Sequence, residues 1–194
     1  MGGMHTDFPV MPRRAFLVAM ICCAAGNVVL ATPDAHRASI LRAKELGKFL
    51  KIGPIVPRFE RISQSRNDDG SIEVRCQYSP PEGEPFTMTS KTCWNINESN
   101  ARGCLSAYHL GSVSVLGTFM KLVPRRLSLG DDHRAYLIVA YGKPWGNYVV
   151  LRKGCVVMSF LVKGVHLEDA PAIEGILHPW LQRAMACPPA KTGA

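Results

Sequence analysis

The most regular hydrophobic pattern of the chain lies near its C-terminus. Apolar side chains recur there at intervals of three and four residues, which is the spacing of the buried face of an α-helix. Asp169 precedes the pattern as a suitable N-cap, and Pro179 inside it predicts a kink or break near Gly175 to His178. The pattern predicts a helix that packs on a sheet through Ile173, Ile176, Leu177, Trp180, Leu181 and Ala184.

Upstream of this helix, runs of β-branched and aromatic residues are separated by glycine, proline and aspartate. This composition is typical of short strands joined by turns. An antiparallel meander is predicted from the runs Thr118 to Val123, Ala135 to Tyr141, Asn147 to Arg152 and Val156 to Val162. Side chains of a strand alternate between its two faces, so one face of the last run is expected to be buried. That face carries Val156, Met158, Phe160 and Val162.

Two earlier strands are indicated more weakly. The turn-forming stretch Asn67 to Gly70 leads into a strand from Ser71 to Tyr78. A segment rich in proline, Pro80 to Pro85, separates it from a strand between Phe86 and Cys93. The two strands therefore form a hairpin with a long connection.

Two more helices complete the predicted fold. One begins at Thr32 and ends at Gly53, and its imperfect apolar stripe comprises Ile40, Leu41, Leu46, Phe49 and Leu50. A short helix is predicted between Asn97 and Tyr108, although Gly103 weakens it. Ile55 to Phe59 is expected to be a connector. The fold class is therefore α+β, an antiparallel sheet with N-terminal and C-terminal helices packed on one face.

A different pattern occupies the N-terminal end. Arg13 and Arg14 precede an uncharged apolar run from Ala15 to Leu30, and Ala31 follows it. This order of positive, apolar and small residues is typical of a secretory signal peptide. The run is shorter than the about 20 residues that a membrane span requires, and it lacks the polar face of a domain helix. We expect residues 1–31 to be a removed signal peptide and residues 32–194 to be a single exported domain.

The export route stays open at this point. Pro12 to Leu17 resembles the twin-arginine export signal, whereas a start at Met11 would leave a shorter, ordinary secretory leader. Ile21 precedes Cys22, so the small residue that lipoprotein processing expects is missing. The sequence predicts a periplasmic or extracellular protein without a lipid anchor.

Charge adds one candidate class of partner. The formal net charge is +8 at pH 7, and the basic residues are dispersed apart from pairs such as Arg125-Arg126 and Arg152-Lys153. Such a surface suits an anionic partner. Nucleic acid is disfavoured, because an exported protein rarely meets it. An unidentified protein, a glycan or a small molecule are the other candidate partners.

The expected oxidation state of the cysteines after the leader depends on the compartment of the protein. An oxidising compartment favours disulfides among Cys76, Cys93, Cys104, Cys155 and Cys187, one of which must stay unpaired. Cys93 with Cys104 is the favoured pair, because turn-forming residues lie between them, and the remaining connectivity is open. The chain has no Cys-x-x-Cys or His-x-x-x-His pair, so no metal and no cofactor is expected.

One segment resembles a known group of domains. The segment begins with a turn, Leu129-Gly130-Asp131, that precedes a strand. A hairpin containing Arg152-Lys153-Gly154-Cys155-Val156-Val157 and a final helix follow. Over about Leu129 to Ala186 the chain resembles exported bacterial α+β domains, exemplified by extracellular sensor domains of some mycobacterial serine/threonine kinases and by PsbP-like lipoproteins. The resemblance implies an exported binding or accessory domain.

An aromatic segment between two predicted strands is the main candidate for binding. Aromatic residues displayed on loops often contact partners or glycans, whereas a tryptophan that covers the sheet edge would be the alternative. The candidate binding residues are Tyr141, Lys143, Trp145, Tyr148 and Arg152.

Catalytic chemistry has few candidates in this sequence. The stretch Gly111 to Gly117 does not have the spacing of a serine nucleophile elbow. Cys155 could act as a nucleophile only with help from a distant histidine, and Asp131, Asp132 and His133 form one compact titratable cluster. The sequence thus favours a non-enzymatic exported domain that binds a ligand or partner. The alternative is a small exported hydrolase or thiol enzyme that uses Cys155 or this cluster.

Overall fold

The computed structural model describes residues 33–53, 55–83, 86–114 and 120–188, which all belong to the unit Ala31–Ala194. The predicted signal peptide, residues 1–31, lies outside the described residues. In the described part of the chain, no helix combines the length and the apolar character needed to cross a membrane.

Seven strands form one sheet in this part of the chain. The helices are α1 (Pro33–Ser39), α2 (Ala43–Leu50), α3 (Glu98–Ser114) and α4 (Ala170–Ala186). The strands are β1 (Glu60–Arg66), β2 (Ile72–Tyr78), β3 (Thr87–Trp94), β4 (Met120–Arg125), β5 (Asp132–Ala140), β6 (Lys143–Lys153) and β7 (Val156–Lys163). A 3-10 turn, Pro57–Phe59, precedes β1. The order in the sheet is β1-β2-β3-β7-β6-β5-β4, and every neighbouring pair is antiparallel.

The α+β fold class is confirmed, and the terminal helices share one face of the sheet. The predicted α4 stripe is buried there together with the predicted face of β7. Trp180 of α4 lies on this face with no exposed surface, and Trp94 of β3 donates its indole N–H to the Ala184 carbonyl at 2.9 Å. These contacts make the helix-on-sheet core that the spacing of apolar residues predicts.

The helix α3 packs on the opposite face. Its buried residues Ala101 and Leu105 belong to one apolar cluster with Val150 of β6 and Val157 of β7. This helix extends to Ser114, well beyond the predicted end at Tyr108. The sheet is therefore covered on both faces, though α3 contacts mainly the strands β3, β6 and β7.

Three details differ from the sequence-based expectation. The strand β1 was not predicted, because its side chains are mostly polar and exposed. The N-terminal helix is split, since the chain turns after Ser39 to bury Ile40 and Leu41, and Ser90 of β3 donates to the Leu41 carbonyl at 2.6 Å. The predicted break in α4 is wrong, because the helix continues through Pro179.

Candidate functional site

The five residues of the predicted aromatic site do not form one surface. Tyr141 is 85% exposed in the turn between β5 and β6, with Lys143 exposed beside it. Trp145 is half-buried against the cluster under α3, whereas Tyr148 is fully buried in that cluster. Arg152 is only 8% exposed and is paired with Asp131 at 3.4 Å. Two of the five side chains are therefore part of the interior.

Asp131, Asp132 and His133 each contact different partners. Asp131 accepts hydrogen bonds from the backbone N–H of Gly154 at 2.8 Å and from Lys153 at 2.9 Å, and these two contacts lower the pKa of its carboxyl group. Asp132 pairs with Arg134 at 2.8 Å. His133 Nε2 accepts from the backbone N–H of Leu127 at 3.2 Å. Each group is engaged in its own local contact, and the three do not form a shared site.

Cys155 has no histidine beside it among the described residues that line its pocket. That apolar pocket, of about 260 Å³, is formed by Trp94, Asn95, Cys155, Val156, Met185 and Cys187. An imidazole able to activate the thiol is therefore not in place there. Nor do the described residues contain a group of three or more His, Cys, Asp or Glu side chains that could hold a metal ion.

A groove between α3 and the sheet is the strongest candidate site, and its floor follows from the strand register. Arg75 of β2 lies opposite Lys91 of β3, and Lys91 lies opposite Ser159 of β7. One row further along, Thr87 of β3 lies opposite Lys163 of β7. Alternation along each strand directs these residues to the α3 face, away from the main core.

The groove has the size of a small-molecule site. Its volume is about 450 Å³, within the range of about 300–1,000 Å³ common for ligand pockets. One wall is the exposed side of α3, and the floor mixes cationic and hydroxyl side chains with apolar ones. The lining consists of Arg75, Ser79, Thr87, Met88, Thr89, Lys91, Ala107, Tyr108, Gly111, Ser112, Ser159, Leu161 and Lys163.

The cations of the groove lack acidic partners. Among the described residues, Arg75, Lys91 and Lys163 make no ion pair with a carboxylate. Arg75 Nε is buried and has no hydrogen-bond partner within the described structure. Lys91 Nζ lies 4.8 Å from the centre of the Tyr108 ring, and Lys163 Nζ lies 5.7 Å from that of Trp145. The charges of Lys91 and Lys163 thus lie near aromatic faces, and no carboxylate in the described part of the chain neutralises them.

Tyr108 lines both this groove and the neighbouring cleft that contains Glu73. Its hydroxyl donates to Glu73 Oε2 at 2.5 Å. Burial is the first cause that raises the pKa of this phenol well above its ordinary value, so the hydroxyl remains a donor at neutral pH. The hydrogen bond engages Glu73 on the far side of Tyr108 from the groove, where both residues line a neighbouring cleft.

The five cysteines of the described residues are free thiols, so the disulfides predicted among them are not formed. Cys76 is buried in the main core, where desolvation raises its pKa to about 12. Cys104 packs against the apolar cluster that contains Cys93, its favoured partner, and both residues line one cleft. The two residues thus face one cleft, and no disulfide joins them.

Sequence analysis did not find the groove. A signal was present, since the polar residues Glu73, Arg75 and Gln77 alternate with the buried positions of β2. The pairing of β3 with β7, which brings Lys163 to the site, joins segments far apart in the sequence. A scan against protein-family models, a search of curated proteins and a search of solved structures each gave no match.

Proposed function

We propose that this chain is an exported, non-enzymatic domain that binds a small anionic molecule in the groove between α3 and the sheet. The ligand class is a small molecule with a carboxylate, sulfate or phosphate group. The observation that carries the proposal is the convergence of Arg75, Lys91 and Lys163 without an acidic partner among the described residues.

Electrostatics explains why this arrangement suits a ligand better than it suits the protein alone. Like charges that share a partly buried groove repel one another and raise the free energy of the folded state. A bound anion relieves that repulsion and supplies the missing acceptor for Arg75 Nε. The hydroxyl groups of Thr89, Ser112 and Ser159 can donate further hydrogen bonds to its oxygen atoms.

Catalysis is less well supported than binding. Asp131, Asp132 and His133 are each engaged in a separate local contact. Cys155 lacks a neighbouring base in its described pocket. A hydroxyl nucleophile in the groove would need a general base within hydrogen-bond reach. Among the described residues, the groove lining contains no histidine, aspartate or glutamate that could serve as one.

The exported location is the second part of the proposal. It is supported by the leader-like order of Arg13, Arg14 and the run Ala15 to Leu30. The resemblance of Leu129 to Ala186 to exported sensor and PsbP-like domains points the same way. N-terminal sequencing of protein recovered outside the cytoplasm tests it, and a start at Thr32 is expected. Recovery of an intact N-terminus in a membrane fraction would contradict it.

Binding is tested by titrating the protein with inorganic sulfate, inorganic phosphate and citrate in separate NMR experiments. Amide signals of Arg75, Lys91, Tyr108 and Lys163 are expected to shift together. Lys91→Gln should weaken binding about tenfold, as expected for loss of one charge-assisted contact. The matched control is Lys121→Gln, which removes the same charge from an exposed position on β4.

A third variant separates the groove from the predicted loop. Lys143→Gln removes a charge from the exposed turn between β5 and β6. If Lys121→Gln weakens binding as much as Lys91→Gln, the attraction is general and the groove proposal is wrong. If only Lys143→Gln has an effect, the loop is the binding site instead.

A further inference from the structure

A second cavity adjoins the groove at the β1 edge of the sheet. This edge cavity has a volume of about 580 Å³, and it is lined by Arg58, Phe59, Glu60, Arg61, Ile62, Gln77 and Ser79. Ser79 lines the groove as well. The two cavities therefore adjoin at this residue, and a ligand that extends from the groove past Ser79 enters the edge cavity.

The strand register connects the two cavities across one face of the sheet. Arg61 of β1 lies opposite Gln77 of β2, and Gln77 lies opposite Thr89 of β3, which lines the groove. Alternation along each strand directs these three side chains to the α3 face. Arg61 is exposed there, because α3 packs mainly over β3, β6 and β7. The row is thus open to a ligand at the β1 edge.

Arg58 and Arg61, the edge cations, lack acidic partners like the cations of the groove. Among the described residues, neither makes an ion pair with a carboxylate. Glu60 lines the edge cavity, but its Oε1 accepts the backbone N–H of Ala43 at 2.8 Å and its Oε2 pairs with Arg42. The Glu60 side chain is only 5% exposed. Its charge is therefore used at the start of α2, and the edge cations remain available to an anion.

Neutral hydrogen-bonding side chains lie between the two sets of cations. The strands β2 and β3 separate Arg61 of β1 from Lys163 of β7, and they contribute Gln77, Thr87 and Thr89. Three strand spacings amount to about 14 Å. Amide and hydroxyl groups both donate and accept hydrogen bonds, so they suit the uncharged hydroxyl groups of a ligand. The surface therefore fits a molecule whose acidic groups are separated by neutral hydroxyls.

The aromatic rings of the two cavities are poorly placed to stack on nucleic-acid bases. The Arg58 guanidinium lies 4.8 Å from the centre of the Phe59 ring, and Phe59 packs against the main core. Tyr108 has Lys91 over its ring and packs against the cluster under α3. Single-stranded nucleic acid is usually bound by stacking its bases on open aromatic faces. The two cavities therefore favour sugars over bases.

We propose that the groove and the edge cavity together bind an acidic oligosaccharide. One carboxylate or sulfate group lies at the cations of the groove, and another lies at the edge cations. The sugar hydroxyls between them bind Gln77, Thr87 and Thr89. This inference rests on the proposed function, because it assigns a ligand class to the same groove.

The test compares probes of different length by calorimetric titration of the full chain. Galacturonic acid and trigalacturonic acid carry the same carboxylate on one and on three sugars, and a heparin tetrasaccharide adds sulfate groups. At least one oligosaccharide is expected to bind about tenfold more tightly than the monomer, because it reaches both sets of cations. If neither does, this proposal is overturned while binding of small anions in the groove stands. If inorganic sulfate, phosphate and citrate all fail to bind, the proposed function fails and this proposal fails with it.

Two arginines of β1 provide matched variants. Arg61→Gln should weaken binding of the oligosaccharide about fivefold, as expected for one exposed charge pair, and leave inorganic sulfate affinity unchanged. Arg66→Gln removes the same charge from an exposed position of the same strand, and alternation places it on the opposite face. If Arg66→Gln weakens oligosaccharide binding as much as Arg61→Gln, the attraction is general and the proposal is overturned.

Gln77→Ala separates recognition of sugar from attraction to any polyanion. The variant removes a hydrogen-bonding amide and no charge, so oligosaccharide affinity should fall about threefold. The affinity for polyacrylate, which carries carboxylates without hydroxyl groups, should not change. An equal fall for both probes, or tighter binding of oligothymidylate than of either oligosaccharide, overturns the proposal.

Discussion

The indole N–H of Trp180 donates to the Thr92 hydroxyl at 3.1 Å, and this bond joins α4 to the middle of the sheet. Both residues have no exposed surface. The helix is thus fixed to β3 by a polar contact as well as by its apolar stripe. A tryptophan in such a place should be among the most sensitive positions of the core.

Trp180→Ala is expected to lower the free energy of unfolding by about 3–5 kcal/mol, because it leaves a large cavity and an unpartnered buried hydroxyl. Urea denaturation followed by circular dichroism measures this loss. Trp145→Ala is the comparison, since Trp145 is half-buried and should cost about 1–2 kcal/mol. Equal losses would contradict the placement of these two side chains.

Asp131→Asn is expected to destabilise the hairpin between β6 and β7 by about 1 kcal/mol at pH 7, through the loss of a charge-assisted contact. The folded state lowers the pKa of Asp131 from 3.8, first through the Gly154 N–H and then through Lys153. Its stabilisation is therefore present above that ordinary value and is lost as the pH falls through the lowered pKa.

Urea melts at pH 7 and pH 3 measure this difference. The gap between Asp131→Asn and the unaltered protein should narrow at the lower pH. Asp132→Asn removes the same charge from a partly exposed pair with Arg134 and should cost less than about 0.5 kcal/mol. A gap that widens toward pH 3 would show that the carboxylate is not the stabilising form.

Two glycine substitutions should have opposite effects. A Cβ atom on Gly146 would lie 2.1 Å from the carbonyl oxygen of Val162, so Gly146→Ala must displace the backbone of β7. We expect a loss of more than about 3 kcal/mol, as for overpacking in a core. Gly103→Ala in α3 meets no atom within 4 Å and should stabilise the protein by about 0.5–1 kcal/mol. Thermal unfolding of both variants checks the expectation.

Tyr108→Phe tests the separation of the groove from Glu73. The variant removes the hydrogen bond to that carboxylate, at a cost of about 1–3 kcal/mol in the free energy of unfolding. It also leaves Glu73 able to compete for the nearby cations, so citrate affinity should fall. Glu73→Gln combined with Tyr108→Phe should restore the affinity, and failure of that rescue would exclude the competition.

Local patterns predicted much of the fold. The spacing of Ile173 to Ala184 identified α4 and its buried face, and alternation from Val156 to Val162 identified the core face of β7. Both signals depend on residues close together in the sequence. They predicted the hairpins of the meander for the same reason.

The candidate site could not be predicted in this way. Lys91 and Lys163 line the same groove only because β7 pairs with β3 as well as with β6, its neighbour in the sequence. Tyr148 and Arg152 looked like parts of an exposed aromatic segment, but strand β6 begins already at Lys143 and carries both into the interior. Strand pairing and the packing of helices on the sheet decide whether these side chains are exposed. The local spacing of hydrophobic residues does not reveal either.

The polar, exposed side chains of β1, which kept this strand from being predicted, also affect whether the sheet can pair with another chain. An unpaired strand at the end of a sheet offers free backbone groups to another chain, and charges or proline on that strand oppose such joining. Here β1 carries exposed Arg61 and Arg66, while β4 at the opposite end carries Pro124, which has no backbone N–H to donate. The two edges are each equipped against edge-to-edge aggregation, so this sheet can remain at seven strands even at high local concentration.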